Sequence, residues 1–379
     1  MSTEFWNAIV PRVAAAAFGL RVRNQPSGSG DTTWDWMQLF TIVAISVAIT
    51  LIWSILDRKR PAYPRLHVWF RAYLRFALAL VMFIYGIGKV IPMQFTPPSL
   101  DRLTERVGDM SPMGLLWTFM GASAAYTIFT GLGELIGGLL LTTRRTALLG
   151  ALITAAVMVN VVVLNFTYDV PVKIYSSVLL LAALFIAAPE ARRLLNVFIL
   201  NRPTDATPLE PSIRPPWLQQ TLRAARTLLV IWFVVTTFQR TLFTRRTYVR
   251  DDSRAALHGI WNVDELTIDG VPRPPLLTDA ARWQRVVFTG GRGMTIEQMN
   301  AHRERYSVMH DPTGFILKKR EDPLWQASFL SERPNPNTLL IRGNMDGRKI
   351  AATLHRTPAS EFLLTSRGFH WINEVPYNR

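Results

Sequence analysis

Ionisable and polar side chains inside long apolar runs are the residues of this sequence most able to do chemistry. Lys89 and Glu134 each lie within such a run, and a charge held in hydrocarbon is costly unless it is paired or functional. Asn160 lies several residues inside another run, where its amide needs hydrogen-bond partners. These three residues are the first candidates for a site within a membrane.

Helical rise predicts which of these residues share one depth. With spans of alternating direction and a rise of about 1.5 Å per residue, Lys89 lies level with Asn160 and roughly with Tyr126. Glu134 is placed about 10 Å closer to the cytoplasm, so no direct contact with Lys89 is expected. The predicted site is a pocket in the outer half of a bundle, formed by Lys89, Tyr126, Asn160 and Asn165.

Three further polar residues, Tyr168, Asp169 and Lys173, are predicted at the mouth of this pocket. Asp169 precedes Pro171, an arrangement typical of a helix N-terminus. Lys173 follows Asp169 by four residues, so the two can pair on one helical face. A simpler interpretation is that Lys89 and Lys173 extend to the outer membrane interface.

Glu134 lies in a glycine-rich stretch, Gly131-Leu-Gly-Glu-Leu-Ile-Gly-Gly138. Gly133 and Gly137 allow another helix to approach closely. The carboxyl is either protonated and hydrogen-bonded between helices, or part of a proton or ion path. The sequence leaves both roles open.

Composition excludes several classes of site. The 379 residues include no cysteine, which excludes thiolate-held iron–sulfur clusters and disulfides. His67 is the one histidine near an apolar run, so no haem ligation in the bundle and no metal site are expected. Membrane proteins accumulate lysine and arginine in their cytoplasmic loops, which accounts for the net charge of +15. Nucleic-acid binding is therefore not expected. A nucleotide-binding fingerprint is also missing, and the sequence does not decide whether the protein is an enzyme.

Six apolar runs near the ~20 residues that span a bilayer must position these side chains. They are predicted at 37–56, 72–91, 115–141, 147–164, 170–188 and 222–238. Loops rich in arginine follow the first and third runs and are expected in the cytoplasm. An even number of spans then places the C-terminal third in the periplasm, although a basic cluster at 240–250 opposes this orientation.

The predicted fold class is a membrane all-α helical bundle of about six transmembrane helices, followed by an antiparallel β barrel or sandwich. Residues 1–35 form an interfacial helix and outer loop, 36–245 the helical domain, and 255–379 a soluble β domain. Strands are predicted at 260–268, 284–288, 294–298, 306–309, 315–319, 338–342, 349–354 and 362–364. The proline-rich segment 201–216 is predicted to be an extended connector.

The outer segment 28–36 precedes the first span. Its composition predicts a turn and a helix cap, with Trp34 and Trp36 at the interface. The alternative is a lid over the pocket that contributes Asp31 and Asp35.

Two short motifs and the glycine-rich third span resemble the DoxX-like membrane family over residues 70–200. The motifs are Phe83-Ile-Tyr-Gly-Ile-Gly-Lys89 and Asn165-Phe-Thr-Tyr-Asp-Val-Pro-Val-Lys173. Members of that family are small four-helix membrane proteins, and the founding type is associated with thiosulfate:quinone oxidoreduction. The resemblance implies a quinone or small redox partner near the bundle. The first and sixth spans and the β domain are additions to the family pattern.

The β domain opens with Gly259-Ile-Trp261, which is similar to the Gly-x-Trp of lipocalin-like barrels. In those barrels the tryptophan closes the base. The resemblance implies a cavity for a small apolar ligand.

The leading hypothesis is a quinone-linked redox protein of the bacterial inner membrane. Lys89 and Asn160 would donate hydrogen bonds to a carbonyl oxygen, and Tyr126 would stack or donate. Asp169 and Lys173 would relay protons at the pocket mouth. Two alternatives are a non-enzymatic carrier of a lipid or small hydrophobic molecule, and an assembly partner that uses the glycine face of the third span.

Overall fold

The computed structural model describes residues 3–205, 215–254, 257–290, 293–311, 313–322 and 324–378, with backbone only at 216 and 248–254. The chain forms two compact units. The first comprises Met1–Gln94 and Ala125–Gln239, and the second comprises Phe95–Ala124 and Arg240–Arg379. Part of the predicted helical domain thus forms one unit with the barrel. Most of the predicted connector, residues 206–214, lies outside the described residues.

Eleven α-helices occur in the described chain. They are α1 (Thr3–Phe18), α2 (Thr33–Leu56), α3 (Pro64–Val90), α4 (Leu100–Thr104), α5 (Pro112–Ala122), α6 (Ala124–Thr142), α7 (Ala147–Thr167), α8 (Lys173–Ala187), α9 (Ala191–Phe198), α10 (Pro216–Arg254) and α11 (Leu363–Ser366). Among the described residues, six helical segments are long and apolar enough to cross a membrane. The predicted multi-pass helical domain is confirmed.

The third predicted span is two helices, not one. Residues 115–141 divide at Ser123 into α5 and α6. Ser111 caps α5 by accepting a hydrogen bond from the amide of Gly114. At the other end of α5, a Cβ on Gly121 would lie 2.1 Å from the carbonyl oxygen of Thr96. This close approach holds α5 against the preceding segment, and the membrane-spanning helix starts only at Ala124.

Helices α3, α6 and α7 pack closely through glycines. A Cβ on Gly131 of α6 would lie 2.8 Å from the backbone oxygen of Gly86 on α3, and one on Gly150 of α7 would lie 2.6 Å from the amide of Leu141. The glycine face of the third span therefore packs within this chain, which weakens its proposed use in assembly. Helices α2 and α10 differ, because 6% and 0% of their most apolar stretches are buried.

Two arginines of α3 terminate neighbouring helices of the same unit. Arg71 donates to the carbonyl oxygen of Ile186 at the end of α8, at 2.9 and 3.2 Å. Arg75 is buried and donates to the carbonyl oxygen of Leu141 near the end of α6, at 3.1 Å. A cation at a helix C-terminus satisfies free carbonyls and complements the helix dipole. These two arginines therefore stabilise helix ends.

The described residues of the second unit form nine antiparallel strands. They are β1 (Gly259–Ile268), β2 (Val271–Pro272), β3 (Trp283–Thr289), β4 (Gly293–Gln298), β5 (Arg303–Asp311), β6 (Gly314–Lys318), β7 (Gln326–Asn335), β8 (Thr338–Met345) and β9 (Arg348–Thr357). Each strand from β3 onward pairs with the next, and β9 pairs with β1. Eight strands thus close an up-and-down barrel, and β2 adds only to β1. The barrel is therefore confirmed over the alternative sandwich.

One predicted strand is wrong, and strands β2 and β7 were not predicted. Residues 362–364 lie in a turn and in the short helix α11, not in a strand. Strand β7 was not predicted, because only Ala327 and Phe329 alternate as buried apolar residues along its polar sequence. Its position is fixed by pairing with β6 and β8, which local sequence does not encode.

Aromatic side chains pack the barrel interior. Phe315 stacks on Phe329 at a centroid distance of 5.3 Å, and Phe288 meets the edge of Phe315 at 5.3 Å. Trp261 is fully buried, and its indole nitrogen donates to the carbonyl oxygen of Leu257 at 2.9 Å. An eight-stranded barrel has an interior just wide enough to be filled in this way. The described interior residues therefore form a packed core.

Candidate functional site

Lys89 and Glu134 form an ion pair inside the helical bundle. Lys89 is 5% exposed and Glu134 is 2% exposed. The prediction that they do not meet is wrong, because it started the third span at residue 115. Since α6 begins at Ala124, Glu134 lies about 15 Å into the helix, near the middle of a bilayer.

The crossing of α3 and α6 explains how the two side chains meet. A Cβ on Gly131 would lie 2.8 Å from the Cβ of Lys89, so these positions are level. Helical side chains point toward the N-terminus of their own helix. The lysine chain therefore extends along α3 toward the cytoplasmic end predicted for that helix. Glu134, one turn after Gly131, lies within its reach.

The ion pair leaves hydrogen-bonding capacity unused. Oε2 of Glu134 has no hydrogen-bond partner among the described residues. The ammonium group of Lys89 has three N–H donors, and Glu134 is its one partner in the described part of the chain. The hydroxyl of Thr154, next to Gly137, is also buried and has no hydrogen-bond partner among the described residues. Buried polar atoms of this kind call for a ligand, an ion or water.

The other predicted pocket residues are not gathered around Lys89. Asn165 is buried and donates to the hydroxyl of Ser176 at 3.0 Å, which links α7 to α8. Tyr126 is 42% exposed and stacks on Phe129. Asn160 is exposed on α7, and Tyr168 is half-buried after the end of that helix. In the described part of the chain, the exposed Tyr126 and Asn160 and the hydrogen-bonded Asn165 do not form the predicted pocket with Lys89.

The predicted pair of Asp169 and Lys173 is confirmed, at 2.9 Å between Oδ1 and Nζ. The predicted cap is different. Asp31, not Asp169, accepts hydrogen bonds from the first amides of α8, at 2.6 Å from Lys173 and 3.0 Å from Ile174. Asp169 has a φ of 51°, a left-handed turn conformation that ends α7, and its carboxylate is 85% exposed. It therefore makes a surface ion pair.

The outer segment 28–36 supplies helix caps. Asp35 accepts from the amide and hydroxyl of Thr32, which caps α2 in return. Asp31 caps α8, as described above. Trp34 is buried against Val10 of α1, and Trp36 is 45% exposed. Both acidic residues of the predicted lid are thus occupied in capping.

Sequence reasoning missed a second charged cluster, which lies in the barrel unit. Arg303 of β5 donates to the carboxylate of Asp101 and, at 3.1 Å, to the hydroxyl of Thr104. Arg305 reaches the same carboxylate at 3.2 Å, and Glu105 binds Arg102 at 2.6 Å. These bonds fix α4 to the barrel wall. The available signal was the group of three acidic residues, Asp101, Glu105 and Asp109, between the second and third predicted spans.

Two buried polar groups of the barrel have shifted pKa values for structural reasons. Burial lowers the pKa of the Arg282 guanidinium, which nearby carboxylates of Asp279 and Asp264 partly offset. Burial and a hydrogen bond to Glu304 raise the pKa of Tyr306. Arg282 donates to the carbonyl oxygens of Val263 and Asp264, both at 3.0 Å. Each group therefore supports the barrel wall.

The chain matches no protein-family model and no solved structure. It is similar to the uncharacterized protein YwoB of Bacillus subtilis (strain 168), with 33% identity over 129 residues. The matched residues are 34% of this chain and 80% of YwoB. Since most of YwoB aligns at this identity, the chain belongs to the same family as YwoB.

Proposed function

We propose that this protein is a DoxX-like protein of the bacterial inner membrane that binds a quinone-type compound at the Lys89–Glu134 pair. The main support is a buried ion pair in the middle of the bundle, in which one carboxylate oxygen has no partner among the described residues. Charges at this depth are costly to maintain and are typical of ligand or proton sites. The activity that such quinone binding implies is a redox reaction of the bound quinone.

The chemistry of a quinone matches the unused atoms of the pair. A ring carbonyl accepts a hydrogen bond from the Lys89 ammonium, and a quinol hydroxyl donates to Oε2 of Glu134. The same carboxylate can hold a proton exchanged with the ligand. The rest of such a ligand is apolar and suits the surrounding helices.

An aromatic pair supports ring binding on this side of the bundle. Tyr85 lies one turn before Lys89 on α3, so both side chains point to the same side of the helix. Its ring is 6.2 Å from that of Tyr175 on α8, and the two residues are 37% and 42% exposed. Partly exposed aromatic rings next to a polar pair can stack a flat ligand. They take the stacking role first predicted for Tyr126.

The proposed orientation has the barrel in the periplasm. Basic residues in the loops at 57–63 and 143–146 support a cytoplasmic position for those loops. Six spans then return the chain to the opposite side before the barrel. The hydrogen bonds of Asp31 to the start of α8 fit this arrangement. Asp31 lies just before α2, and both α2 and α8 begin on the outer side in this orientation. The basic residues at 240–250 lie on the periplasmic side in this orientation, against the usual distribution of positive charge.

The barrel is less suited to the ligand role. Its interior holds a packed cluster of buried side chains, including the stacked rings of Phe315 and Phe329. A carrier barrel needs an open apolar cavity instead. The bundle is therefore the proposed ligand-binding domain.

Ligand retention tests the proposal. Protein purified in mild detergent is extracted with organic solvent, and quinones are quantified by mass spectrometry. The wild-type protein should retain quinone near stoichiometry, and Lys89→Met should lose it. Lys173→Met is the matched control, because it removes a lysine whose ion pairs are with Asp169 and Asp31 and not with Glu134. Equal quinone in Lys89→Met and the control, or none in the wild type, contradicts the proposal.

A further inference from the structure

We infer that α7 forms a parallel, two-fold contact with α7 of a second copy of this chain, through a seam that contains Asn160. This inference is independent of the proposed ligand. It starts from a polar side chain that the fold leaves exposed within a membrane-spanning helix.

Asn160 is exposed in the apolar helix α7, seven residues before its end at Thr167. That distance is about 10 Å, so the amide lies within the hydrocarbon layer. Among the described residues no group hydrogen-bonds to its side chain. An amide in hydrocarbon is unfavourable without a partner, and transmembrane asparagines commonly obtain one from another helix.

The residues around Asn160 have the spacing of a helix–helix seam. The seam consists of Leu149, Ile153, Ala156, Asn160, Val163 and Thr167. Their separations alternate between four and three residues, which is the heptad pattern of paired helices. All except the half-buried Ile153 are exposed. The opposite side of α7 carries Gly150 and Thr154, which pack against α6.

A second copy is the occupant that fits this seam. An amide both donates and accepts, so two Asn160 side chains related by a two-fold axis satisfy each other. A single asparagine within an apolar heptad seam favours a two-stranded, parallel pairing in fixed register. Helices α2 and α10 provide no alternative, because no described side chain of either bonds Asn160. Lipid chains offer no hydrogen bonds.

Single-cysteine crosslinking tests the contact, because the natural chain contains no cysteine. Ala156→Cys and Val163→Cys place a thiol in the seam. Leu181→Cys is the control, since Leu181 is 63% exposed on α8. After oxidation in native membranes, the two seam variants should give about fivefold or more disulfide-linked dimer than the control. Equal dimer yields at all three positions, or none in the seam, overturn the inference.

A second substitution tests the amide itself. In the Ala156→Cys background, Asn160→Val should reduce the crosslinked dimer several-fold, whereas Asn160→Gln should keep most of it. Asn160 is exposed, so neither change disturbs the packed side of α7. Unchanged crosslinking in Asn160→Val would show that the amide does not hold the dimer.

Discussion

At the scale of single residues, the pair of Lys89 and Glu134 dominates the energetics of the bundle. Each charge is tolerable at this depth because the other neutralises it. Removing one partner leaves an uncompensated buried charge or forces a change of protonation. Removing both charges leaves an apolar contact that a membrane interior accepts. The two residues should therefore behave as a unit.

The pair predicts a strong non-additivity in stability. Lys89→Met and Glu134→Gln should each lower the free energy of unfolding by about 3 kcal/mol, because each leaves one buried charge without its partner. The double variant should lose clearly less than the sum of the two. Denaturant unfolding of the detergent-solubilised protein measures these values. Additive losses would mean that the two charges do not interact.

Sequence alone identified both members of this pair but not their contact. Lys89 and Glu134 are recognisable because they interrupt apolar runs. Their relative depth depends on where α6 begins, and the break between α5 and α6 at Ser123 carries no strong signal in the sequence. The cap of α8 was hidden for a similar reason, since Asp31 precedes Lys173 by 142 residues. Contacts between distant segments have no local sequence signal.

At the scale of elements, glycines set the distance between α3 and α6. Gly86 and Gly131 bring the two backbones so close that a Cβ at either would lie under 3 Å from a carbonyl oxygen of the other helix. This spacing lets Lys89 reach Glu134. Helix packing and the proposed site are therefore linked.

The glycine contact predicts opposite outcomes for two alanine substitutions. Gly131→Ala should destabilise the bundle and weaken ligand retention, because the new methyl group clashes with backbone and with Lys89. Gly88→Ala is the matched control, since a Cβ there meets no atom within 4 Å. It should be neutral or stabilising by up to about 1 kcal/mol. Thermal unfolding of both variants measures the difference, and similar melting temperatures would argue against the close contact.

Regular elements were largely predictable, because hydrophobic period and length define them. Five of the six predicted spans coincide with single helices, and most strands follow alternating apolar residues. The break at Ser123 and the strand Gln326–Asn335 depend on packing and pairing partners. The packing partner of Gly121 is Thr96, in an earlier segment of the chain, and the strand Gln326–Asn335 is itself mostly polar.

At the scale of the whole molecule, the proposed topology assigns each loop to one side of the membrane. The cysteine-free sequence allows this to be measured. Leu330→Cys places a thiol at a 63% exposed position of the barrel, and Lys59→Cys places one in the basic loop after α2. In cells with a permeabilised outer membrane, an impermeant maleimide should label Leu330→Cys but not Lys59→Cys until the inner membrane is broken. The reverse pattern would invert the topology.

Equilibrium binding measures the occupancy of the proposed quinone site at the buried ion pair. A short-chain benzoquinone is titrated into purified, delipidated protein, and quenching of tryptophan fluorescence reports occupancy. We expect saturable binding to the wild type and unchanged binding to Lys173→Met. The Kd of Lys89→Met should be at least about tenfold weaker, because one charge-assisted hydrogen bond is lost. Binding of equal strength to all three proteins would contradict the claim.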